Sequence, residues 1–269
     1  MRRLPQLLTP HLASAFRRAP RNVNIRFRAA AALTISRSFT TSNTYNMEQK
    51  DGIDRDTPYN DGSTLAQQLQ NYRRHSSVDV WGFAIYRCSY DSESDWQTFI
   101  AILNERARGS LNFHSTPELF EKLDWAVQSD PSTLDGATRD TVRARFRNWV
   151  AEQTSQLPDP QDINVTWNQR FRYCIYVDAT VLESVVKNAP RPPQRDLAGV
   201  GCVDVISKEW DERAAQEEDE EEEDIEGYKT YDVGWMKVSI DGLVPRIYML
   251  LGEDPWSEIY QRPPAVVIE

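Results

Sequence analysis

The chain has 269 residues, 40% of them apolar, and carries 31 Lys plus Arg against 41 Asp plus Glu, a formal charge of −10. That length fits one domain or two small ones, and the apolar share is enough for a core. The excess of negative charge argues against a nucleic-acid partner, because phosphate contacts need a basic face.

The charge is unevenly spread. The first 47 residues hold eight arginines and no Asp or Glu, which leaves 23 basic against 41 acidic residues, a formal −18, on the rest. An Arg-rich, Ser-rich, acid-poor leader has the composition of a mitochondrial transit peptide. On a helix it sets Leu12, Ala15 and Phe16 against the arginines, the pattern of a segment lying on a membrane surface. Arg37-Ser38-Phe39-Thr40-Thr41-Ser42 resembles matrix cleavage sites of the Arg-x-Phe-x-x-Ser type. Residues 1–46 are therefore expected to be a transit peptide with the matrix as address, the alternative being the cytosol if translation starts at Met47. No uninterrupted apolar core of a secretory signal follows the early charges. No stretch approaches the roughly 18 apolar residues of a transmembrane segment. Cys88, Cys174 and Cys202 are odd in number and widely spaced, which fits a reducing compartment rather than a disulfide framework.

Residues 47–78 are polar, with turn pairs Asp51-Gly52, Thr57-Pro58 and Asp61-Gly62, and read as a disordered tether with a short helix at 64–74. The folded domain is expected at 79–264. It opens with the apolar run Trp81 to Cys88, a buried strand whose Trp81, Phe83 and Ile85 share one face. Ser94-x-x-Gln97 has capping-box spacing, and Trp96, Phe99, Ile100 and Leu103 follow on one helical face up to Gly109. Thr116-Pro117 predicts a second helix burying Phe120, Leu123 and Val127. A third, from Thr138 to Gln153, turns Val142, Phe146, Trp149 and Val150 inward and Arg139, Arg143 and Arg147 outward. After a loop over 154–168 come a strand over 171–177 and a helix capped by Asp178 that carries Val181, Leu182, Val185 and Val186. Residues 189–196 form a stiff proline-rich connector, and Val200–Ile206 a third strand. An acidic disordered loop spans about 209–228, around the run Glu217–Asp224. Val233–Ile240 is a fourth strand with Trp235 in the core, and Gly242–Leu251 a last helix with Pro245 in its first turn. The tail from Arg262 is extended.

Strands separated by helices predict an α+β domain: about four strands in a mixed sheet with helices packed on it. The echo between Trp81-x-Phe83-x-Ile85-Tyr86 and Phe171-x-Tyr173-x-Ile175-Tyr176 makes a ferredoxin-like sandwich one candidate. Five sets of residues, Trp81–Arg87, Phe120–Trp125, Phe171–Ile175, the acidic run leading to Tyr231–Lys237, and the closing Ile259-Tyr260-x-Arg262-Pro263-Pro264, together resemble a group of uncharacterised proteins of filamentous fungi. That resemblance covers about residues 80–264 and implies no activity, ligand or site.

Reactive constellations are sparse. Gly199-x-Gly201 has the opening of a dinucleotide loop, but Asp204 stands where the third glycine belongs and a strand follows it, so no nucleotide cofactor is expected. His75 and His114 have no Cys or His at helical ligand spacing, and no metal is expected. The sharper readings of the cysteines are a three-thiolate cluster or a Cys88/His114 nucleophile pair. The blander one is buried small hydrophobes. Glu217–Asp224 reads as a solvated insertion or a handle for a basic protein partner. The helical arginines read as a solvated face, as an anion site, or as an internal dock for that loop. The resulting expectation is a non-catalytic binding or regulatory module in mitochondria, with catalytic residues unknown. The alternative is an enzyme with dispersed residues in a pocket beside the sheet.

Overall fold

The computed structural model describes Leu69 and residues 78–160, 163–211, 223–253 and 256–268. The leader, nearly all of the tether and Glu217–Glu222 of the acidic run lie outside the described residues. The described chain is an α+β arrangement built on one mixed sheet of six strands, in the order β2-β1-β3-β4-β5-β6. They are β1 Ala84–Arg87, β2 Ala126–Gln128, β3 Tyr173–Val177, β4 Cys202–Ser207, β5 Trp235–Ser239 and β6 Val266–Val267. Parallel pairs join β1 to β2, β1 to β3 and β5 to β6, while β3–β4 and β4–β5 are antiparallel.

The expected count of four strands is thus corrected to six. A ferredoxin-like arrangement needs an antiparallel sheet throughout, whereas β1 sits between two parallel neighbours. The two extra strands are the shortest, and both lie at an edge. β2 replaces part of the helix expected after Thr116-Pro117. A 3-10 turn over Pro117–Lys122 buries Leu119, the chain then runs extended, and Val127 is 40% exposed. The sheet captures this segment: Trp81 N–H donates to the Lys122 carbonyl (3.0 Å), Asp124 N–H to the Trp81 carbonyl (2.8 Å) and Trp81 Nε1 to the Leu119 carbonyl (2.9 Å). Pairing beside β1 satisfies backbone groups that a second helical turn would have left facing it.

Each face of the sheet has its own cover. On one side Phe83, Ile85, Ile175, Val177, Val205, Met236 and Val238 meet helix α1 (Glu93–Phe113) and α3 (Ala179–Glu183, running on as a wider turn to Asn188). Residues 243–247 and α4 (Tyr248–Glu253) complete that cover. On the other side α2 (Arg139–Ser155) lays Val142, Phe146 and Val150 over Ala84, Tyr86, Cys174, Ile206 and Trp235. Each such side chain removed from water contributes roughly 1.5–3 kcal/mol. The caps follow short polar side chains. Thr138 accepts from Thr141 N–H, and Asp178 from Val181 N–H at 2.9 Å. The cap of α1 is Ser92 rather than Ser94, so Glu93 opens the helix and Gln97 donates to its carboxylate at 2.7 Å. Gly109 does not end α1, which runs on to Phe113. Among the described residues no helix is long and apolar enough to cross a membrane.

Candidate functional site

The three cysteines are all buried and free, on β4, on β3 and just beyond β1. Burial pushes the Cys88 thiol up to about 12, with the nearby Asp178 carboxylate adding to it. Burial likewise lifts Cys174 well above the ordinary thiol range, and raises Cys202. Thiols held in the neutral form are neither nucleophiles nor ready ligands. Cys88 and Cys174 pack in the core under α2, whereas His114 caps the far end of α1 on the opposite side of the sheet, so no Cys88/His114 pair exists. Among the described residues no three His, Cys, Asp or Glu side chains converge as a metal site. Gly199 and Gly201 precede β4 rather than a helix. The space at Gly201 is filled by Ala189, Ile240 and the Asp196 carboxylate, which accepts from Gly201 N–H at 2.6 Å.

The solvated face expected for Arg139, Arg143 and Arg147 is overturned for Arg143, which is buried, and for Arg139, which is half-buried, while Arg147 stays exposed. Arg143 is buried and donates to the Ser207 and Gly234 carbonyls, both at 3.1 Å, tying the end of β4 to the start of β5. Burial lowers its pKa. Arg147 donates to the carbonyls of Lys208 (2.9 Å) and Trp210 (2.8 Å). Arg139 lies over the Trp235 ring (3.9 Å) and pairs with Asp204 and with Glu226. Asp204, fully buried on β4, also receives Lys237 Nζ at 3.1 Å. Burial opposes the Arg139 charge, but Asp204 and then Glu226 outweigh it and raise its pKa. The arginines brace both ends of the acidic loop against α2. The Ser207, Gly234, Lys208 and Trp210 carbonyls accept from Arg143 and Arg147, which holds these guanidinium groups against the chain.

The concave site lies elsewhere. A cleft of about 500 Å³ opens between the C-terminal half of α1 and the connector after α3, with Arg106, Gly109, Phe113, Pro193, Arg195 and Asp241 among its lining. That volume is within the usual 300–1,000 Å³ of small-molecule sites. Arg106 fixes the walls to each other, donating to the Gln194 (2.5 Å) and Pro190 (2.6 Å) carbonyls and pairing with Asp241 at 3.0 Å. Asp241 holds the connector from its other oxygen, which accepts from Asp196 N–H at 2.7 Å. Arg195 stands at the mouth, its side chain 60% exposed and 3.8 Å from Asp241. Arg108 rests over the Phe120 ring at 4.1 Å. Phe113 is 83% exposed, and its ring meets that of His114 edge-on at 5.2 Å.

Gly109 is the informative residue. A glycine inside a helix costs about 0.5–1 kcal/mol relative to alanine. Beyond its chain neighbours and the backbone of its own helix, no atom lies within 4 Å of where its Cβ would stand. Packing therefore does not require glycine there, and the position opens onto the cleft. The sequence reading ends the helix at Gly109, and the other walls of the cleft come from two distant stretches of chain, at 192–195 and at Asp241. No family model matches the chain, and searches of the curated proteins and of the solved structures found no match.

Proposed function

We propose that this chain is a non-catalytic binding module of mitochondria, and that its ligand is a small molecule seated in the cleft beside Gly109. The observation that carries the reading is the empty space at Gly109, inside a helix, in a cleft whose walls are already joined by Arg106 and Asp241. A site held open before the ligand arrives spends little of its binding energy on ordering. The alternative, an enzyme with dispersed catalytic residues in a pocket beside the sheet, would not draw a nucleophile from the three cysteines, which are buried. The acidic run remains a candidate handle for a basic partner, since its far end is secured: Arg262 donates to the Glu223 carbonyl and Glu226 pairs with Arg139.

The cleft is tested by Gly109→Trp. The indole should fill the open volume, leave the denaturation midpoint within about 1 kcal/mol of the parent, and abolish the thermal stabilisation that any small ligand of the parent protein produces. A ligand that stabilises parent and variant equally sits elsewhere and removes the proposal. The address is tested by fusing residues 1–46 to a fluorescent protein. Mitochondrial fluorescence, lost when Arg17, Arg18, Arg26 and Arg28 become Gln, is expected. Diffuse fluorescence from the intact fusion would place translation initiation at Met47 instead.

A further inference from the structure

We propose that Lys208 is a modification site, whose side-chain amine takes an acyl group from a thioester seated in a depression beside α2. The cleft lies at α1, so this site stands apart from it and does not depend on it. Lys208 directly follows β4, and its backbone is held from both sides. Its N–H donates to the Arg172 carbonyl at 2.9 Å, and its own carbonyl accepts from Arg147 Nε at 2.9 Å. The residue is half-buried and lines an open depression of about 490 Å³ together with Arg147, Val150, Ala151 and Glu209. Lys122, Lys187 and Lys237 each pair with a carboxylate. Lys208 Nζ has no ion pair or hydrogen bond among the described residues, although Glu209 is its chain neighbour. That carboxylate turns instead to Arg172, at 3.6 Å.

A lysine placed in this way is a nucleophile because its charge is opposed. Burial is the main cause that lowers its pKa; Glu209 works against this, and Arg172 and Arg147 reinforce it. Desolvation and neighbouring cations are two ordinary ways of keeping a lysine amine neutral and reactive. The neutral Nζ forms a bond to the thioester carbonyl carbon. The carbon–sulfur bond then breaks and sulfur leaves with the electron pair as thiolate. The proton shed by nitrogen passes to water or to that thiolate, and nothing is oxidised or reduced. Arg147 spends Nε and Nη2 on the Lys208 and Trp210 carbonyls, which leaves Nη1 as a donor for the oxygen that turns negative. Val150 and Ala151 offer carbon to a short acyl chain. The amide that forms is uncharged, so a third cation no longer stands beside Arg147 and Arg172.

Acetylation of the full chain by the small thioester S-acetyl-N-acetylcysteamine, followed lysine by lysine with peptide mass mapping, tests the site. The internal standard is Lys229, which is exposed and also unpaired. At neutral pH Lys208 should be acetylated several-fold faster than Lys229, and its rate should level off at a lower pH. Glu209→Gln, at an exposed position, should speed Lys208 alone, because the one opposing carboxylate is gone. Arg172→Met should slow it. In urea the two lysines should react alike. Lys208 reacting no faster than Lys229 in the folded chain would overturn the proposal. A preference that persists in urea would belong to the local sequence and would overturn the site as a property of the fold. An unchanged Lys208 rate in folded Glu209→Gln would overturn the charge balance as its cause.

Discussion

The two faces of the sheet are stabilised by different physics. The face under α1, α3 and α4 is apolar across β1, β3, β4 and β5, from Phe83 to Val238. The face under α2 begins apolar, at Ala84, Tyr86 and Cys174, and ends in a charged network of Asp204, Lys237 and Arg139 beside Trp235. The first face gains by removing carbon from water and tolerates changes of shape at modest cost. The second holds a carboxylate with no solvent access, and its stability depends on every member being present. Nonpolar burial is distributed; an ionic core fails as a unit.

The contrast is broken most sharply at Asp204. Asp204→Ala should cost about 3–5 kcal/mol in urea denaturation, because Arg139 and Lys237 lose a buried counter-charge. Replacing all three together, with Asp204→Leu, Arg139→Met and Lys237→Met, should be near neutral or stabilising. A single Asp204→Ala variant with an unchanged midpoint would show that the network is not needed for the fold. On the other face Ile175→Ala should cost about 2–5 kcal/mol, the range for truncating a fully buried isoleucine. Its effect should add to that of a distant apolar truncation such as Leu111→Ala. Strong non-additivity there would erase the distinction between the faces.

The smallest effect is expected at Asp232, which receives Gly234 N–H at 2.7 Å and Trp256 Nε1 at 2.9 Å. Burial is the main cause that lifts its pKa above the ordinary 3.8. The folded chain therefore keeps a proton that the unfolded chain has released. Stability from this group falls as pH rises from 3.8 through the folded value, and returns as pH drops back. Asp232→Asn should flatten that part of the profile. A variant whose urea midpoint follows the parent's across the acidic range would assign the slope to other carboxylates.

Much of the sheet was legible beforehand. β1, β3, β4 and β5 are apolar runs, and a buried strand has few other ways to be written. Asp178 and Thr138 announce their helices by side-chain chemistry alone. β2 and β6, with three and two residues, are too short to show a period, and only the neighbouring strand makes them strands. Arg143 was misread because a charged residue between apolar turns ordinarily faces water. Here the Ser207 and Gly234 carbonyls recruit it inward. The cleft was not readable at all as a site, because its walls are joined by contacts between residues far apart in sequence, Arg106 to Pro190 and Gln194, and Asp241 to Arg106 and Asp196.

The register of the sheet also has a kinetic side. Ala84 pairs with Cys174, Cys174 with Ile206, and Ile206 with Trp235, so the central strands meet only after long stretches of chain have closed on themselves. Closure entropy of that kind slows folding far more than it lowers stability. While β1 waits for β3, its apolar edge is open to any other unpaired strand. The chain should refold on the slow, millisecond-to-second side for its size. Its yield should fall with protein concentration even where the folded state is comfortably stable.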